Sequence, residues 1–170
     1  MKIKTPFLRQ DIAKLKAGDQ VFITGTIYTA RDAAHKKMFE TKKIPFDLNG
    51  QIIYYCGPTP AKPGKAIGSC GPTTSSRMDK YTPFMLENGM VGMIGKGNRS
   101  QNVIEAIIKH GAVYFVATGG AAALLSKKVI KSEVIAFPEL VAEAVYKLEV
   151  MDFPVIVAID ATGADLFKVG

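Results

Sequence analysis

Short runs of β-branched and aromatic residues alternate along the chain with segments whose apolar residues recur every three or four positions. The runs predict buried strands, and the three-to-four spacing predicts helices that bury one face. Predicted strands lie at residues 20–28, 52–55, 89–94, 112–117, 129–137, 144–150 and 155–160. Predicted helices lie at residues 9–16, 32–40, 78–88, 103–108 and 121–125, the last opened by Gly119 and Gly120. Because strands and helices alternate in the middle and strands dominate the end, we expect an α/β domain with a mixed β-sheet flanked by helices.

Residues 56–76 interrupt this alternation, because glycine and proline recur there at short intervals. The composition predicts a long loop, and long loops in compact domains frequently carry function. The loop ends in four hydroxyl residues, Thr73 to Ser76, followed by Arg77 and the predicted helix. Free N–H groups at a helix start attract anions, and arginine adds a bidentate donor. One hydroxyl suffices as a helix cap, so four favour an anion site over an ordinary cap with spare hydroxyls.

Two further cationic residues follow predicted strand ends. Lys96 lies between two glycines, a pattern that lacks the full phosphate-loop motif and leaves a solvated surface lysine as the alternative. Arg31 and His35 are four residues apart, and the alternative there is an arginine–aspartate surface pair beside a partly exposed histidine. Open α/β sheets bind ligands at strand ends. We therefore expect Arg31, Arg77 and Lys96 to clamp a small dianion.

Composition and charge narrow the class of protein. With 170 residues, 48% hydrophobic and 22% charged, the chain is typical of one soluble globular domain covering residues 1–170. A net charge of +7 favours an anionic partner, but the basic residues are scattered and tryptophan is absent. Nucleic-acid binding is therefore disfavoured, although a non-catalytic anion-binding or nucleic-acid-binding module stays open as an alternative.

The chain has two cysteines, Cys56 and Cys70, too few for a zinc finger or a four-cysteine cluster. Cys70 could ligate a metal, but a small loop or core residue is the commoner role. The charged N-terminal segment does not resemble a signal peptide, and no apolar run approaches the ~20 residues that cross a bilayer. We expect a reducing, cytoplasmic setting and no membrane partner.

Five ordered motifs, which together span nearly the whole chain, lie at residues 25–35, 54–58, 71–81, 96–100 and 147–160. They resemble the β subunit, or C-terminal domain, of class I fumarate hydratases and the related tartrate dehydratases. The resemblance implies a swivelling β/β/α fold and an iron–sulfur hydro-lyase that adds water reversibly to fumarate to give (S)-malate. It leaves fumarate and L-tartrate open as substrates, because the two differ by hydroxyl groups and no motif distinguishes them.

The resemblance also implies roles for individual residues. Arg31, Arg77 and Lys96 match residues that bind the substrate carboxylates, and Thr73 matches the threonine proposed as the catalytic base. Thr74 lies in the same turn and is predicted to bind substrate. The alternative is that it shapes the turn without contacting substrate. His35 matches a family position without an assigned chemistry. The family's [4Fe-4S] cluster is held by three cysteines of the α part, so the resemblance implies a separate α subunit as the partner of this chain and a small dicarboxylate as the substrate.

Overall fold

The computed structural model describes residues 1–117 and 122–168. These residues form seven strands: β1 (Lys2–Lys4), β2 (Gln20–Thr29), β3 (Ile52–Tyr54), β4 (Gly92–Gly95), β5 (Val113–Val116), β6 (Val129–Ala136) and β7 (Val145–Ile159). They also form five α-helices: α1 (Arg9–Ala13), α2 (Asp32–Thr41), α3 (Thr82–Glu87), α4 (Gln101–His110) and α5 (Ala122–Ser126). In addition, 3₁₀ helices span Ser75–Tyr81, Pro138–Glu143 and Leu166–Lys168. The predicted start of the fifth helix at Gly119 to Ala121 lies outside the described residues.

The strands form one mixed sheet in the order β1-β2-β3-β4-β5-β7-β6. Neighbours from β1 to β5 are parallel, whereas β7 is antiparallel to β5, β6 and β2. The pairing of β2 with β7 closes β2, β3, β4, β5 and β7 into a ring. This confirms the predicted mixed α/β fold with flanking helices. It also brings the carboxyl ends of β2, β3 and β4 to one edge, because parallel neighbours end on the same side.

The two faces of the sheet bury separate hydrophobic clusters. Strand β3 shows the alternation, since Ile52 and Tyr54 belong to one cluster and Ile53 belongs to the other. The first cluster joins α1 and α5 to the strands, and the second packs α2, α3 and α4 against the opposite face. Within residues 1–117 and 122–168, the structure contains no helix with the length and apolar content required to span a bilayer.

The prediction of one helix over residues 78–88 is wrong. A 3₁₀ helix, Ser75–Tyr81, comes first, and α3 begins at Thr82. Pro83 explains the division, because proline has no N–H to donate to the carbonyl four residues earlier, yet fits the first turn of a new helix. Thr82 instead donates its N–H to the carbonyl of Asp79, three residues back. The hydroxyl-rich turn therefore leads into a 3₁₀ helix that carries Arg77.

The predicted strands at 144–150 and 155–160 form one continuous strand, β7. Asp152 has a left-handed φ of 50°, where the pairing with β2 also shifts register. Pro154 is tolerated because Val157, three residues on, donates its N–H to Asp19 on the β2 side, so the missing N–H of Pro154 faces the opposite side. There β7 pairs with β6 only up to Val150 and with β5 only from Ile156. No ladder bond is lost.

Candidate functional site

The turn that carries Thr73 and Thr74 is held between the ends of two parallel strands. The N–H of Thr73 donates to the carbonyl of Tyr55, directly after β3, at 2.7 Å. Thr74 forms an isolated parallel bridge with Lys96, and Ser75 donates its N–H to the Lys96 carbonyl at 3.0 Å. The structure therefore brings Thr73, Thr74 and Lys96 to one edge of the sheet. Thr73 is half-buried, and Thr74 and Lys96 are exposed.

Gly95 and Ser75 fix how closely the turn approaches the sheet. A Cβ atom on Gly95 would collide with the Ser75 hydroxyl and would lie 2.8 Å from Tyr55 Cδ2, so only glycine admits this turn. Ser75 is itself buried, and its hydroxyl forms a 2.7 Å hydrogen bond with the hydroxyl of Tyr114. Ser75 thus anchors the turn and does not face the open edge. Thr73 and Thr74 are left to present their side chains there.

Arg31 and Arg77 meet at one carboxylate, that of Asp32. Arg77 Nε donates to Asp32 Oδ2 at 2.9 Å, and Arg31 Nε lies 3.9 Å from Asp32 Oδ1. Arg31 lies two residues after β2, and Ala30, between them, donates its N–H to the Tyr54 carbonyl at 3.1 Å. Its side chain passes so close to Gly57 that a Cβ there would lie 2.9 Å from Arg31 Cδ. Both arginines therefore start at the same edge of the sheet as the hydroxyl turn.

Among the described residues, nothing bonds to the terminal nitrogens of the two arginines, so these nitrogens can bind an external anion. The terminal guanidinium nitrogens of Arg31 and Arg77 form no hydrogen bond to another described residue, and neither does the hydroxyl of Thr73. The Arg77 side chain is half-exposed, and that of Arg31 is about a quarter exposed (51% and 27%). Clefts of 250, 510 and 640 Å³ lie elsewhere, and none of the three is lined by these residues. The cations thus stand on an open edge that a second surface could cover.

Arg99 is the residue that sequence reasoning missed. Its guanidinium is fully buried, donates from Nε to Asp79 Oδ1 at 2.7 Å, and donates from Nη2 to Thr82 Oγ1 at 2.8 Å. It also lies over the rings of Tyr55 and Tyr114. Asp79 Oδ2 in turn accepts the N–H of Ser100, the residue that caps α4. This network ties the 3₁₀ helix of Arg77 to the segment that follows Lys96. Nothing in the spacing of Arg99 distinguishes it from a surface arginine.

His35 lies in the interior, and the expectation of a partly exposed histidine is wrong. The helix begins at Asp32 with Arg31 as its cap, so the side chain at His35 turns inward between Tyr55 and Tyr81. Its Nδ1 lies 2.8 Å from the Arg31 carbonyl, which can only accept, so Nδ1 carries the proton. Nε2 has no partner among the described residues. Burial lowers the pKa of His35 to about 4. His35 is therefore a neutral support for the backbone of Arg31.

Because its pKa is lowered in the folded chain, protonation of His35 is expected to destabilise the fold in mild acid. Its pKa rises from about 4 in the folded chain to about 6.5 in the unfolded chain, so its contribution is complete above pH 6.5 and is lost as the pH falls towards 4. We expect that loss to reach about 3 kcal/mol, measured by urea unfolding at several pH values. His35→Gln should remove this pH dependence, and the control His110→Gln, which replaces the chain's other histidine, should keep it. An unchanged slope in His35→Gln would contradict the interpretation.

Cys56 and Cys70 face each other in the core. Their Sγ atoms are 3.3 Å apart, both residues are buried, and neither is in a disulfide. The hydrogen bond with Cys70, together with burial, raises the pKa of the Cys56 thiol. Residues 1–117 and 122–168 contain no group of three or more histidine, cysteine or acidic side chains suited to a metal. The described residues thus do not form a ligand set for an iron–sulfur cluster, and its location on a partner stays a prediction.

Comparisons with known proteins place the chain among relatives of similar sequence. A family model described as "Fumarase C-terminus" matches residues 1–170. "Fumarate hydratase 2" of Leishmania major is 42% identical over 167 residues, which cover 95% of this chain and 29% of the relative. "Fumarate hydratase class I, anaerobic" of Escherichia coli (strain K12) is 40% identical over 163 residues, 92% of this chain and 30% of the relative. "Putative L(+)-tartrate dehydratase subunit beta" of Methanocaldococcus jannaschii is 40% identical over 170 residues, 94% of this chain and 87% of the relative. The chain therefore spans less than a third of the two fumarate hydratases and most of the archaeal protein.

Proposed function

This chain belongs to the fumarase C-terminus family, and we propose that it is the β subunit of a hydro-lyase that hydrates fumarate reversibly to (S)-malate. The observation that carries the proposal is the shared edge of β2, β3 and β4. Lys96 directly follows β4, Arg31 lies two residues after β2, and Thr73 lies in the turn pinned between the ends of β3 and β4. Arg77 lies on the 3₁₀ helix that continues this turn. A C4 dicarboxylate has two anionic ends, and a cluster of cations around one hydroxyl turn suits such a ligand.

The cations also have a role in the chemistry. Removal of a proton from C3 of malate, next to a carboxylate, adds negative charge to that carboxylate. Arginine forks and the Lys96 ammonium aimed at it would stabilise this charge, and one well-placed donor is typically worth about 3 kcal/mol. The same groups stabilise the transition state of hydration, because both directions pass through it. Binding and rate are therefore expected to depend on the same side chains.

We assign the base to Thr73. A threonine hydroxyl is barely acidic in water, and only its alkoxide could accept the C3 proton. Nearby positive charge would have to stabilise that alkoxide, and exclusion of water would strengthen the attraction. Arg77, four residues on, contributes the positive charge, and the Thr73 hydroxyl has no competing hydrogen bond among the described residues. The edge is open in this chain alone. A partner that covers this edge would therefore have to exclude water from it.

The partner in this proposal is an α subunit that carries the [4Fe-4S] cluster. The name of the archaeal relative, a β subunit of length similar to this chain, supports a two-subunit enzyme. The cluster would supply a Lewis acid for the substrate hydroxyl. The same relative supports L-tartrate as the second candidate substrate, since its name specifies tartrate dehydration.

The test is anaerobic co-expression with the α subunit, followed by kcat/KM measurements for fumarate hydration and L-tartrate dehydration. The proposal requires fumarate to be preferred, and a clear preference for L-tartrate would select the second candidate. Thr73→Val should abolish fumarate hydration while Thr73→Ser, which keeps a hydroxyl, retains part of it. Equal activity in both variants would move the base elsewhere. A complex inactive on both acids that binds DNA or RNA with strong salt dependence would support the non-catalytic module instead.

A further inference from the structure

We propose that Asp32 is a positioning residue that aims both Arg31 and Arg77 at the substrate, an inference that rests on the proposed function. One carboxylate contacts both guanidinium groups, at 2.9 Å for Arg77 and 3.9 Å for Arg31. In each contact the arginine atom is Nε. A guanidinium held at Nε keeps its two terminal nitrogens on the far end of the plane, and those nitrogens form the fork that binds a carboxylate bidentately. Asp32 therefore orients both forks without occupying them.

Asp32 is better fixed than the arginines it holds. It is the first residue of α2, where the helix dipole favours a carboxylate, and its side chain is short. The next residue, Ala33, donates its N–H to Glu143 Oε1 at 3.2 Å, which ties this turn to the 3₁₀ helix before β7. Arg77 belongs to a segment 45 residues away. The aspartate thus serves as the anchor, and the long arginine side chains are the groups that it aims.

Burial separates the contact between Asp32 and Arg31 from an ordinary surface ion pair. Asp32 Oδ1 and Arg31 Nε are both shielded from solvent, and neither has a hydrogen-bond partner among the described residues. The pair Lys36–Glu40 on the same helix shows the ordinary case, since its side chains are more than half exposed at the same 3.9 Å separation. Exposed pairs of that kind contribute little. The shielded contact between Asp32 Oδ1 and Arg31 Nε differs from such a pair, while the Asp32 and Arg77 side chains are about a third and a half exposed.

Kinetics of the α–β complex distinguish aiming from simple charge. If Asp32 aims the forks, Asp32→Ala should lower kcat for fumarate hydration about 10-fold to 100-fold without raising KM comparably, because lost orientation affects the transition state most. Asp32→Asn should give a kcat between those of the unchanged chain and Asp32→Ala, since its amide oxygen can accept a hydrogen bond from one arginine. Glu40→Ala is the control and should change neither constant. If Asp32 only neutralised charge, both variants would lower KM and keep kcat, and that result would overturn the proposal.

A second measurement does not require activity. In ¹H–¹⁵N spectra of the full chain, the Arg77 Nε–H signal should resemble that of Arg99, which Asp79 holds at 2.7 Å, rather than that of exposed Arg9. Asp32→Ala should shift it to the position of Arg9 and leave Arg99 unchanged, with Arg77→Lys providing the assignment. An Arg77 signal unmoved by Asp32→Ala would overturn the proposal even in an active enzyme. If Asp32→Ala shifts the Arg77 signal but the α–β complex is inactive on both acids, the role of Asp32 as an anchor is supported and the proposed reaction is contradicted.

Discussion

Arg77→Ala is expected to lower kcat/KM for fumarate hydration by about 10²-fold to 10³-fold in the α–β complex. The variant removes a bidentate donor whose terminal nitrogens bond to no described residue while its Nε donates to Asp32 at 2.9 Å. Arg77→Lys should recover only part of the loss, because an ammonium keeps the charge and not the fork geometry. Steady-state kinetics at several fumarate concentrations measure the effect.

Lys80→Ala is the matched control for this prediction. Lys80 is an exposed cation on the same 3₁₀ helix, and its ammonium lies over the Tyr81 ring, 5.1 Å from the centroid. We expect wild-type kinetics from it. If Arg77→Ala also kept wild-type kcat/KM, or if the two variants lost activity equally, Arg77 would have no specific place in substrate binding.

Asp79→Ala is expected to destabilise the fold by about 3–5 kcal/mol, the usual cost of leaving a buried charge without its partner. The Arg99 side chain is 0% exposed and Asp79 accepts its Nε–H, so removal of the carboxylate strands a guanidinium in the core. Urea unfolding at neutral pH measures the loss. Glu139→Ala breaks the Lys37–Glu139 pair, which has the same 2.7 Å separation but is exposed, and should cost far less.

A double variant shows whether the stranded charge is the cause. Asp79→Ala combined with Arg99→Met should be more stable than Asp79→Ala alone, because methionine removes the uncompensated charge and fills similar space. If Asp79→Ala cost no more than Glu139→Ala, the buried pair would not hold the 3₁₀ helix. Because the same helix carries Arg77, we also expect Asp79→Ala to reduce fumarate hydration in the folded fraction.

The Arg99 network explains how a loop-rich site can be ordered. Asp79 receives Arg99 from the segment after β4 and also the N–H of Ser100 at 2.8 Å. Tyr114 on β5 completes the support through its hydrogen bonds to Ser75 and to the Gly97 carbonyl. Two buried connections thus join the turn of Thr73 to the segment of Lys96, one through Asp79 and one through Tyr114. Rigid support of this kind is what keeps polar groups in a productive arrangement.

Local patterns predicted the regular elements well where the determining residues are adjacent in sequence. Helix α4 is the clearest case, because its apolar stripe, its Ser100 cap and Gly111, with a left-handed φ of 63°, all lie within twelve residues. Strand β7 is the opposite case. The pattern predicted two strands, at 144–150 and 155–160, yet pairing with β2 along most of its length carries one strand through Asp152 and Pro154. Partners more than a hundred residues away decided that outcome.

The amino-acid pattern by itself determined the mixed α/β class, the alternating elements and the candidate residues Arg31, Thr73, Arg77 and Lys96, because periodicity, glycine and proline signals and ordered motifs are local properties. Their roles in substrate binding and proton transfer stay predictions. Only the tertiary structure placed His35 and Arg99 in the interior and brought Asp32 between two arginines. Those outcomes depend on which distant segments come into contact when the sheet closes. Burial and ion pairing are set by these tertiary contacts and cannot be read from the residue types alone.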